Sequence, residues 1–427
     1  MPEQDRPKDL QPVAANGLLD RRLFLKSIAT GGMSLVAAPV LADSVGKGQP
    51  EWMLVPGQGA QGYGMPSSHE QVARWTRPPG QRRGRTMAGV AFTPHQELTG
   101  TYTPSGLHFE VNHHGIPDID PTRHTLVIHG MVDRPTKFSV EALDFYPTVT
   151  HSHFLECSGN SQLLWADEPA EIGLDRSHGL LSASEWTGVS LASLLDEAGV
   201  KSGGKWIIAE GADSGSLSRS IPMEKAMDDS FIALYQNGER LRPGQGYPMR
   251  LFNPGFEGNT SVKWLRSLRV TDRPAMTKFE TSKYTDLMPD GRALQFSLKM
   301  DVKSVITRPS NALILPKKSA VYEVTGLAWS GSGRIRKVEV SADGGSTWAE
   351  AALHGPVLPI MLTRFRVPWR WDGSPTILQS RATDETGHVQ PTRRQLIQAR
   401  GNQGGYHYHA IHSWAVREDG SIAHVYA

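Results

Sequence analysis

Between residues 100 and 270 the chain alternates short apolar runs with polar turns, a pattern that predicts strands rather than long helices. Leu107–Val111 alternates apolar and polar side chains, as a half-buried strand does. Further strands are predicted where apolar and β-branched residues cluster, at Thr125–His129, Val149–Leu155, Trp206–Ala209 and Phe231–Tyr235. An Asn237-Gly238 pair after the last of these predicts a hairpin turn.

Helical spacing is limited to short stretches in the same region. Leu191–Ala198 places its apolar residues on one face, with Ser190 as the predicted N-cap and Gly199 ending the helix. Ser139 is positioned to cap a shorter helix over residues 140–143. Because strands and helices mix without a regular βαβ rhythm, the fold class predicted for this domain is α+β.

From about residue 296 the pattern becomes all-β. Short strands separated by turns are predicted at Val321–Ala328, Ile335–Ser341, Thr347–Leu353, Leu362–Val367 and Ile377–Thr383. Asp343-Gly344-Gly345 supplies a hairpin turn between two of them. We therefore divide the chain into a first domain at 96–295 and an immunoglobulin-like β-sandwich at 296–427.

Residues 1–42 predict an export signal. Asp20-Arg21-Arg22-Leu23-Phe24-Leu25-Lys26 matches the twin-arginine pattern, the mildly apolar stretch Ser27–Ala38 follows, and cleavage is expected after Ala42. We therefore expect a periplasmic protein exported in the folded state, and no membrane span, because the apolar stretch is too short to cross a bilayer stably. Residues 43–95 are rich in Gly, Pro and Arg and predict an extended surface arm.

Charge and cysteine content narrow the function. Lysine and arginine number 45 against 43 acidic residues, a net charge of only +2, which argues against a nucleic-acid partner. No Cys-x-x-Cys-His motif occurs, so we expect no haem in this chain. Cys157 is the only cysteine and cannot form an internal disulfide. Its residue type fits a buried apolar side chain, a nucleophile or a metal ligand.

A set of motifs around Cys157 resembles the sulfite oxidase family of molybdenum enzymes. In the first domain these are Cys157-Ser-Gly-Asn160, Glu185-Trp186-Thr-Gly-Val-Ser-Leu191, Gly246-Tyr-Pro-Met-Arg250, Pro254-Gly255 and Ser261-Val-Lys263-Trp264-Leu265. In the second domain they are Gly326-Leu-Ala-Trp-Ser330, Val338-Glu-Val-Ser341-Ala-Asp-Gly-Gly345 and Trp348. The resemblance implies a molybdopterin-binding catalytic domain followed by a dimerisation domain.

The resemblance also implies Mo-molybdopterin as the cofactor, with Cys157 as the thiolate ligand of molybdenum. A soft thiolate suits this metal beside the dithiolene sulfurs of the pterin. Tyr284 is implied as a catalytic residue that hydrogen-bonds the substrate oxygen or the metal-bound water. The motifs imply cofactor contacts from the cations His113, Arg250 and Lys263, from Asn112, Ser261 and Val262, from Asp213 to the pterin ring, and from the positions Val111 and Gln245.

At three positions the family's usual cation is missing. Val111 and Gln162 stand where the family has arginines, and Gln245 stands where it has a histidine. A charge pair near a protein surface is worth up to about 4 kcal/mol at an effective dielectric of 20 and about 4 Å. The replacements therefore predict weak binding of free sulfite. Arg364 and Arg366 are catalytic candidates that could reach the pocket from the second domain.

A site without those cations resembles the branch of the family that oxidises sulfane sulfur on a carrier protein during thiosulfate oxidation. The phrase Gly106-Leu-His-Phe-Glu-Val-Asn-His-His-Gly-Ile-Pro117 supports that placement. The implied partners are a c-type cytochrome subunit as electron acceptor, with the arm as its docking place, and a second copy of the chain, giving a heterotetramer. The alternatives are a periplasmic sulfite dehydrogenase, a molybdopterin sulfoxide reductase and a non-catalytic binding protein.

Two sets of histidines have the spacing with which a strand can bind a metal. These are His151 with His153, and His407 with His409 and the nearby His412. No cysteine or cluster of acids completes either set. We therefore expect these side chains to line the cofactor domain or a subunit interface.

Overall fold

The computed structural model describes residues 12–21, 50–77, 89–316, 320–402 and 404–427. The apolar stretch and cleavage point predicted within residues 27–42 lie outside these ranges, as does the Gly/Pro/Arg-rich stretch at 78–88. Within the described part of the chain, no helix is long and apolar enough to cross a bilayer.

Two sheets form the first domain. The order of the first is Ser218–Pro222, Trp206–Gly211, Leu265–Thr271, Thr125–Gly130 and Thr136–Ser139. Its third and fourth strands run parallel, with Ser267 opposite Val127, and its other neighbours are antiparallel. The second sheet is antiparallel, in the order Glu239–Arg240, Phe231–Gln236, Leu181–Ser190 and Thr148–Glu156, with Arg250–Phe252 also paired to Phe231–Gln236.

Shorter elements surround these sheets. The α-helices of the first domain are Val140–Leu143, Leu174–His178, Leu191–Ala198, Met223–Asp228 and Lys278–Thr281. The 3-10 helices are Glu51–Met53, Ser105–Leu107, Gln162–Trp165, Pro243–Gln245 and Gly258–Thr260. A small sheet of Trp75–Arg77, Gly89–Phe92 and Glu110–Asn112 joins the arm to the domain, and Asp286–Leu287 pairs with Ala293–Leu294.

The predicted helix signals mostly hold. The Ala142 amide donates to Ser139 Oγ at 3.0 Å, which confirms the predicted cap. The helix at 191–198 buries its predicted apolar face and ends at Gly199 with φ of 70°. The predicted cap by Ser190 is wrong, because its side chain makes no capping bond.

The second domain is a β-sandwich, which confirms the predicted α+β domain followed by a sandwich. One sheet has the order Pro12–Ala14, Leu18–Leu19, Thr363–Trp371, Ala320–Trp329 and Lys303–Arg308, with Ala352–Leu353 on the strand at 363–371. The other has the order Ala349–Glu350, Ile335–Ser341, Thr376–Asp384, Ser413–Val416 and Ile422–Val425. The helix Arg393–Arg400 begins with a capping box at Thr392 and Gln395.

The single strand predicted over Thr347–Leu353 is two strands. Ala349–Glu350 pairs with the strand at 335–341 in one sheet, whereas Ala352–Leu353 pairs with the strand at 363–371 in the other. Ala351 lies between them, and its amide donates to the Val338 carbonyl at 2.9 Å. The chain therefore crosses from one sheet to the other here, as sandwich corners do.

The two domains share a continuous core. Phe154 and Leu181 of the first domain are buried in the same apolar cluster as Trp329 and Trp369 of the sandwich. The Phe154 amide also donates to the Ile360 carbonyl at 3.0 Å. The strand that ends directly before Cys157 is thus packed against the second domain.

Candidate active site

Cys157 directly follows the strand at 148–156, on a turn that hydrogen bonds fix. Its amide donates to the Leu180 carbonyl at 3.0 Å, and its carbonyl accepts from the Asn160 amide at 2.8 Å. The Asn160 side chain spans the turn, accepting from the Leu180 amide at 3.0 Å and donating to Glu156 Oε1 at 2.9 Å. The Cys157 side chain lines a cavity in the first domain.

Glu156 ties this turn to the second domain. Its fully buried carboxylate accepts from Lys303 Nζ and from Trp329 Nε1, each at 2.7 Å. Buried charges are retained only when they are paired and hydrogen-bonded. The sandwich therefore fixes the residue that precedes Cys157.

Burial raises the pKa of the Cys157 thiol to about 11, and the Glu257 and Glu156 carboxylates act in the same direction. Without a metal, the thiol is therefore protonated at neutral pH. Metal ligation requires the thiolate, so a bound metal must displace this proton.

The cavity collects residues from distant parts of the chain. The space between its walls, including the part open to solvent, is about 670 Å³. The predicted site residues that line it are Val111, His113, Cys157, Asp213, Gln245, Arg250, Ser261, Val262, Lys263 and Tyr284. Asn112 does not line the cavity, but its buried side chain accepts from Lys263 Nζ. Lining residues that the sequence did not single out include Phe109, Glu110, Leu217, Asn259 and Trp264.

Lys263 places a cation on the cavity wall. Its Nζ donates to the Gly244 carbonyl at 2.9 Å and to the Val111 carbonyl at 3.2 Å, besides Asn112. Burial lowers the pKa of Lys263 to about 7, and the charge of Arg250 acts in the same direction. An anionic group bound in the cavity would favour the protonated amine.

Arg250 is buried beside it and has hydrogen-bonding capacity to spare. It donates to the Ser261 carbonyl at 2.8 Å and to the Gln245 carbonyl at 3.1 Å, and burial lowers its pKa to about 9. Among the described residues, its buried Nε has no hydrogen-bond partner, and neither has Asn259 Oδ1. Such orphaned groups cost free energy, which a polar ligand would remove. The cations, the orphaned atoms and the Cys157 sulfur together fit a molybdenum–pterin cofactor with an anionic tail.

Asp213 combines with a histidine that the sequence analysis missed. Its Oδ1 accepts from the Leu217 amide at 2.9 Å, and its Oδ2 lies 3.1 Å from His114 Nδ1. The carboxylate is therefore held at the cavity wall, where it can accept from pterin ring N–H groups. The doubled His113-His114 was the available signal for the second histidine.

Tyr284 is buried with φ of +48°, a backbone conformation that is uncommon for residues with a Cβ. Its hydroxyl lies 3.0 Å from His113 Nε2. The Arg219 guanidinium carbon lies 4.8 Å from the centroid of the Tyr284 ring, and Arg219 itself is held by Glu257 and Glu280. Burial raises the pKa of Tyr284 well above its ordinary value, so the phenol remains protonated and able to donate.

Arg364 and Arg366 do not line the cavity, which corrects the prediction that one of them reaches it. Arg364 donates to the Gly100 carbonyl at 2.8 Å and to the Leu98 carbonyl at 3.3 Å. Arg366 pairs with Glu323. Main-chain acceptors and a carboxylate outside the cavity satisfy both guanidinium groups, so neither supplies charge near Cys157.

The three residues that replace the family's cations bring no positive charge to the cavity. Val111 lines the cavity with an apolar side chain, and the side-chain Nε2 of Gln245 donates to the Phe109 carbonyl at 2.8 Å. Gln162 begins a 3-10 helix and is exposed. Among the described residues that line the cavity, those that can carry positive charge are His113, Arg250 and Lys263.

Two of the histidines considered as metal ligands, His407 and His409, lie beside carboxylates. His407 lies with Nε2 3.5 Å from Glu257 Oε2, and its amide donates to the Ser158 carbonyl at 2.9 Å, next to the Cys157 turn. His409 Nδ1 is 3.3 Å from Asp301 Oδ2. In the ranges that the structure describes, no group of three or more His, Cys, Asp or Glu side chains is arranged to hold a metal ion.

Comparisons with known proteins agree with this site. A family model described as "Oxidoreductase molybdopterin binding domain" matches residues 113–279, and one described as "Mo-co oxidoreductase dimerisation domain" matches residues 295–413. The NADH nitrate reductase of Solanum lycopersicum is 31% identical over 335 residues, which are 69% of this chain and 36% of that enzyme. That of Ulva prolifera is 32% identical over 289 residues, 61% of this chain and 33% of that enzyme. The chain thus spans about a third of the length of these enzymes.

A solved structure covers nearly the whole chain. The crystal structure of the sulfane dehydrogenase SoxCD from Paracoccus pantotrophus matches with a TM-score of 0.84 and 44% identity, over 89% of this chain and 97% of that one. The chain therefore belongs to the sulfite oxidase family, as a molybdenum-dependent oxidoreductase with Mo-molybdopterin as its cofactor.

Proposed function

We propose that this protein oxidises sulfane sulfur bound to a carrier protein, as a persulfide, to the sulfonate level during thiosulfate oxidation. The observation that carries the proposal is the lack of substrate-binding cations at Val111, Gln162 and Gln245, together with Arg364 and Arg366 turned away from the cavity. Free sulfite is a small dianion and needs such charges. A sulfur atom delivered on a protein is held by contacts elsewhere, so it does not. The likeness to a sulfane dehydrogenase supports the same conclusion.

Six residues of the cavity would hold the cofactor or act on the substrate. Cys157 would ligate molybdenum, Lys263 and Arg250 would hold the anionic tail of the cofactor, and Asp213 would accept from its ring. The cofactor, when bound, supplies oxidation by oxygen transfer, with water as the source of oxygen. Tyr284 would donate from its hydroxyl to the oxygen atom that the substrate receives, and His113 Nε2, 3.0 Å from that hydroxyl, would orient it.

The reaction releases electrons and therefore needs an acceptor. Conversion of a persulfide R–S–S⁻ to R–S–SO₃⁻ takes up three water molecules and releases six protons and six electrons. This chain has no haem-attachment motif, so we propose a c-type cytochrome subunit as the acceptor.

The arm is the proposed docking surface for that cytochrome. It leaves Trp52, Leu54, Val55 and Met65 between 62% and 79% exposed, an unusual concentration of apolar side chains for a free surface. Further along the arm, Arg74 Nη1 lies 2.5 Å from Glu110 Oε1. Glu110 lines the cavity, so the arm passes close to the redox site.

The proposed assembly is a periplasmic heterotetramer of two copies of this chain with the cytochrome. The match of residues 295–413 to a dimerisation domain supports association through the sandwich. The twin-arginine pattern at Arg21-Arg22 supports export of the folded protein.

The function is tested by comparing substrates on protein whose molybdenum content has been measured. Turnover with the persulfidated carrier and the cytochrome subunit should exceed turnover with free sulfite. Rapid oxidation of free sulfite, without activity on the carrier, would instead identify a sulfite dehydrogenase. Reduction of sulfoxides by reduced donors would identify a reductase.

Adding a positive charge to the cavity tests whether the lack of cations explains the expected weak binding of free sulfite. The variant Val111→Arg should lower the KM for free sulfite by at least about tenfold, since it adds one cation, and so one charge pair with the dianion, on the wall of the cavity. Val389→Arg is the matched control, because it adds one positive charge on an exposed residue of the second domain. An unchanged KM in Val111→Arg would show that charge does not set the substrate preference.

A further inference from the structure

The residues before the twin-arginine pair are built into the second domain. Pro12–Ala14 and Leu18–Leu19 form an antiparallel hairpin, and Leu18 pairs with Trp369 on the strand at 363–371. We propose that residues 12–19 are a permanent edge strand of the sandwich, and that they stay bound to it even when the chain that connects them to the body is cut.

Burial is the first argument. Leu18 is 0% exposed and Leu19 is 1% exposed. Leu18 belongs to the same apolar cluster as Trp369 and Trp371 of the sandwich. A segment that merely lay on the surface would not place two leucines in a core, so its removal would leave a cavity and uncover aromatic side chains.

Specific hydrogen bonds are the second argument. Trp369 Nε1 donates to the Asn16 carbonyl at 2.8 Å, and Asn16 Nδ2 donates to the Ala342 carbonyl at 2.7 Å. The Ala15 amide donates to Thr347 Oγ1 at 2.9 Å. These partners lie on a strand of one sheet and on the turn between two strands of the other, at residues 342 and 347, so the hairpin has one defined position.

The residues of the hairpin turn suit both its backbone conformation and its close contact with the sandwich. Asn16 has φ of 56° and Gly17 has φ of 88°, values that suit an Asn-Gly pair. A Cβ on Gly17 would lie 2.0 Å from the Arg370 carbonyl oxygen. The close approach of the two backbones therefore requires glycine here.

The hairpin also pairs with part of the free edge of the strand at 363–371. The strand at 363–371 pairs along its length with the strand at 320–329 on one side. On its other side, Ala352–Leu353 covers residues 365 and 366, and Leu18 covers residue 369. Without the hairpin, the end of this strand would be open to pairing with another chain.

Residues 12–19 lie within the segment that cleavage of the predicted export signal would remove. Cleavage after Ala42 would separate residues 12–19 from the body covalently, although they complete the folded domain. The contacts above would then hold the cleaved segment in place.

The test is made on the full chain with a protease recognition sequence inserted after Ala42. After cleavage, native mass spectrometry and size exclusion measure whether the fragment of residues 1–42 remains with the body. Leu18→Asp should speed its dissociation by roughly ten- to a hundredfold, the range expected for losing one buried leucine. Gly17→Ala should speed it by at least about tenfold, because the added Cβ would lie 2.0 Å from the Arg370 carbonyl oxygen. Val13→Asp is the matched control, since Val13 is 49% exposed in the same hairpin and the variant adds the same charge as Leu18→Asp.

Retention of the fragment by the wild-type chain and by Val13→Asp, with loss from the other two variants, supports the proposal. A wild-type fragment that dissociates as fast as the Leu18→Asp fragment overturns it. Gly17→Ala keeps the test decisive if Leu18→Asp does not fold, because it changes no charge and only the fit of the turn.

Discussion

Replacing Lys303 by methionine should destabilise the junction between the two domains by about 3–5 kcal/mol, the usual cost of removing one partner from a buried ion pair. Lys303 and Glu156 are 3% and 0% exposed at their side chains, and 2.7 Å separates Nζ from Oε1. Methionine retains the unbranched apolar stem and removes the charge. Glu156 would then keep only the neutral donors of Trp329 and Asn160.

Urea unfolding followed by tryptophan fluorescence measures this effect, because Trp329 donates directly to the carboxylate. Adding Glu156→Gln to the Lys303→Met variant should recover part of the loss, since a neutral amide needs no cation. The single variant should also lose molybdenum faster on dialysis, because Glu156 directly precedes Cys157.

The matched control is Arg334→Met. It breaks the pair with Glu385, whose partners are 53% and 42% exposed, and should cost less than about 1 kcal/mol. A loss for Lys303→Met as small as that of the control would refute the reasoning that this buried pair holds the Cys157 turn.

Three further predictions concern the cavity. Cys157→Ser should leave a folded protein with little bound molybdenum and little turnover; full metal content by mass spectrometry would exclude Cys157 as the ligand. Tyr284→Phe should lower kcat by about a hundredfold at unchanged metal content, because the hydroxyl donor is lost; an unchanged kcat would remove Tyr284 from the mechanism. Lys263 has a pKa lowered to about 7 in the folded protein. Between about pH 7 and the ordinary lysine pKa of about 10, the folded form binds fewer protons than the unfolded form. In that range the stability of the cofactor-free protein should rise with pH more steeply than that of Lys263→Met in urea titrations. Equal slopes would contradict the lowered pKa.

Strands and helices whose formation depends on neighbouring residues could be predicted from the sequence. The strand before Cys157, the helix at 191–198 and the sandwich strand Ile335–Ser341 follow from apolar runs, helical spacing and turn residues. The resemblance in the motifs identified the cavity residues, from Val111 to Tyr284. Composition alone would have left Cys157 open among its three possible roles.

What the sequence did not reveal depends on contacts between distant residues. Lys303 reaches Glu156 across 147 positions, and no spacing rule connects them. The strands at 12–14 and 18–19 are too short to show a period, and the neighbouring arginine pair suggested only a signal. Arg364 had the right charge, but the direction of its side chain is set by the Leu98 and Gly100 carbonyls.

The measurement that tests the central claim most directly is the number of electrons delivered to the cytochrome per sulfur atom. It uses molybdenum-loaded protein and a carrier with a defined persulfide content. The account predicts six electrons for each carrier-bound sulfane sulfur, with a sulfonate on the carrier and little reaction with free sulfite. Two electrons from each free sulfite, and none from the carrier, would contradict it.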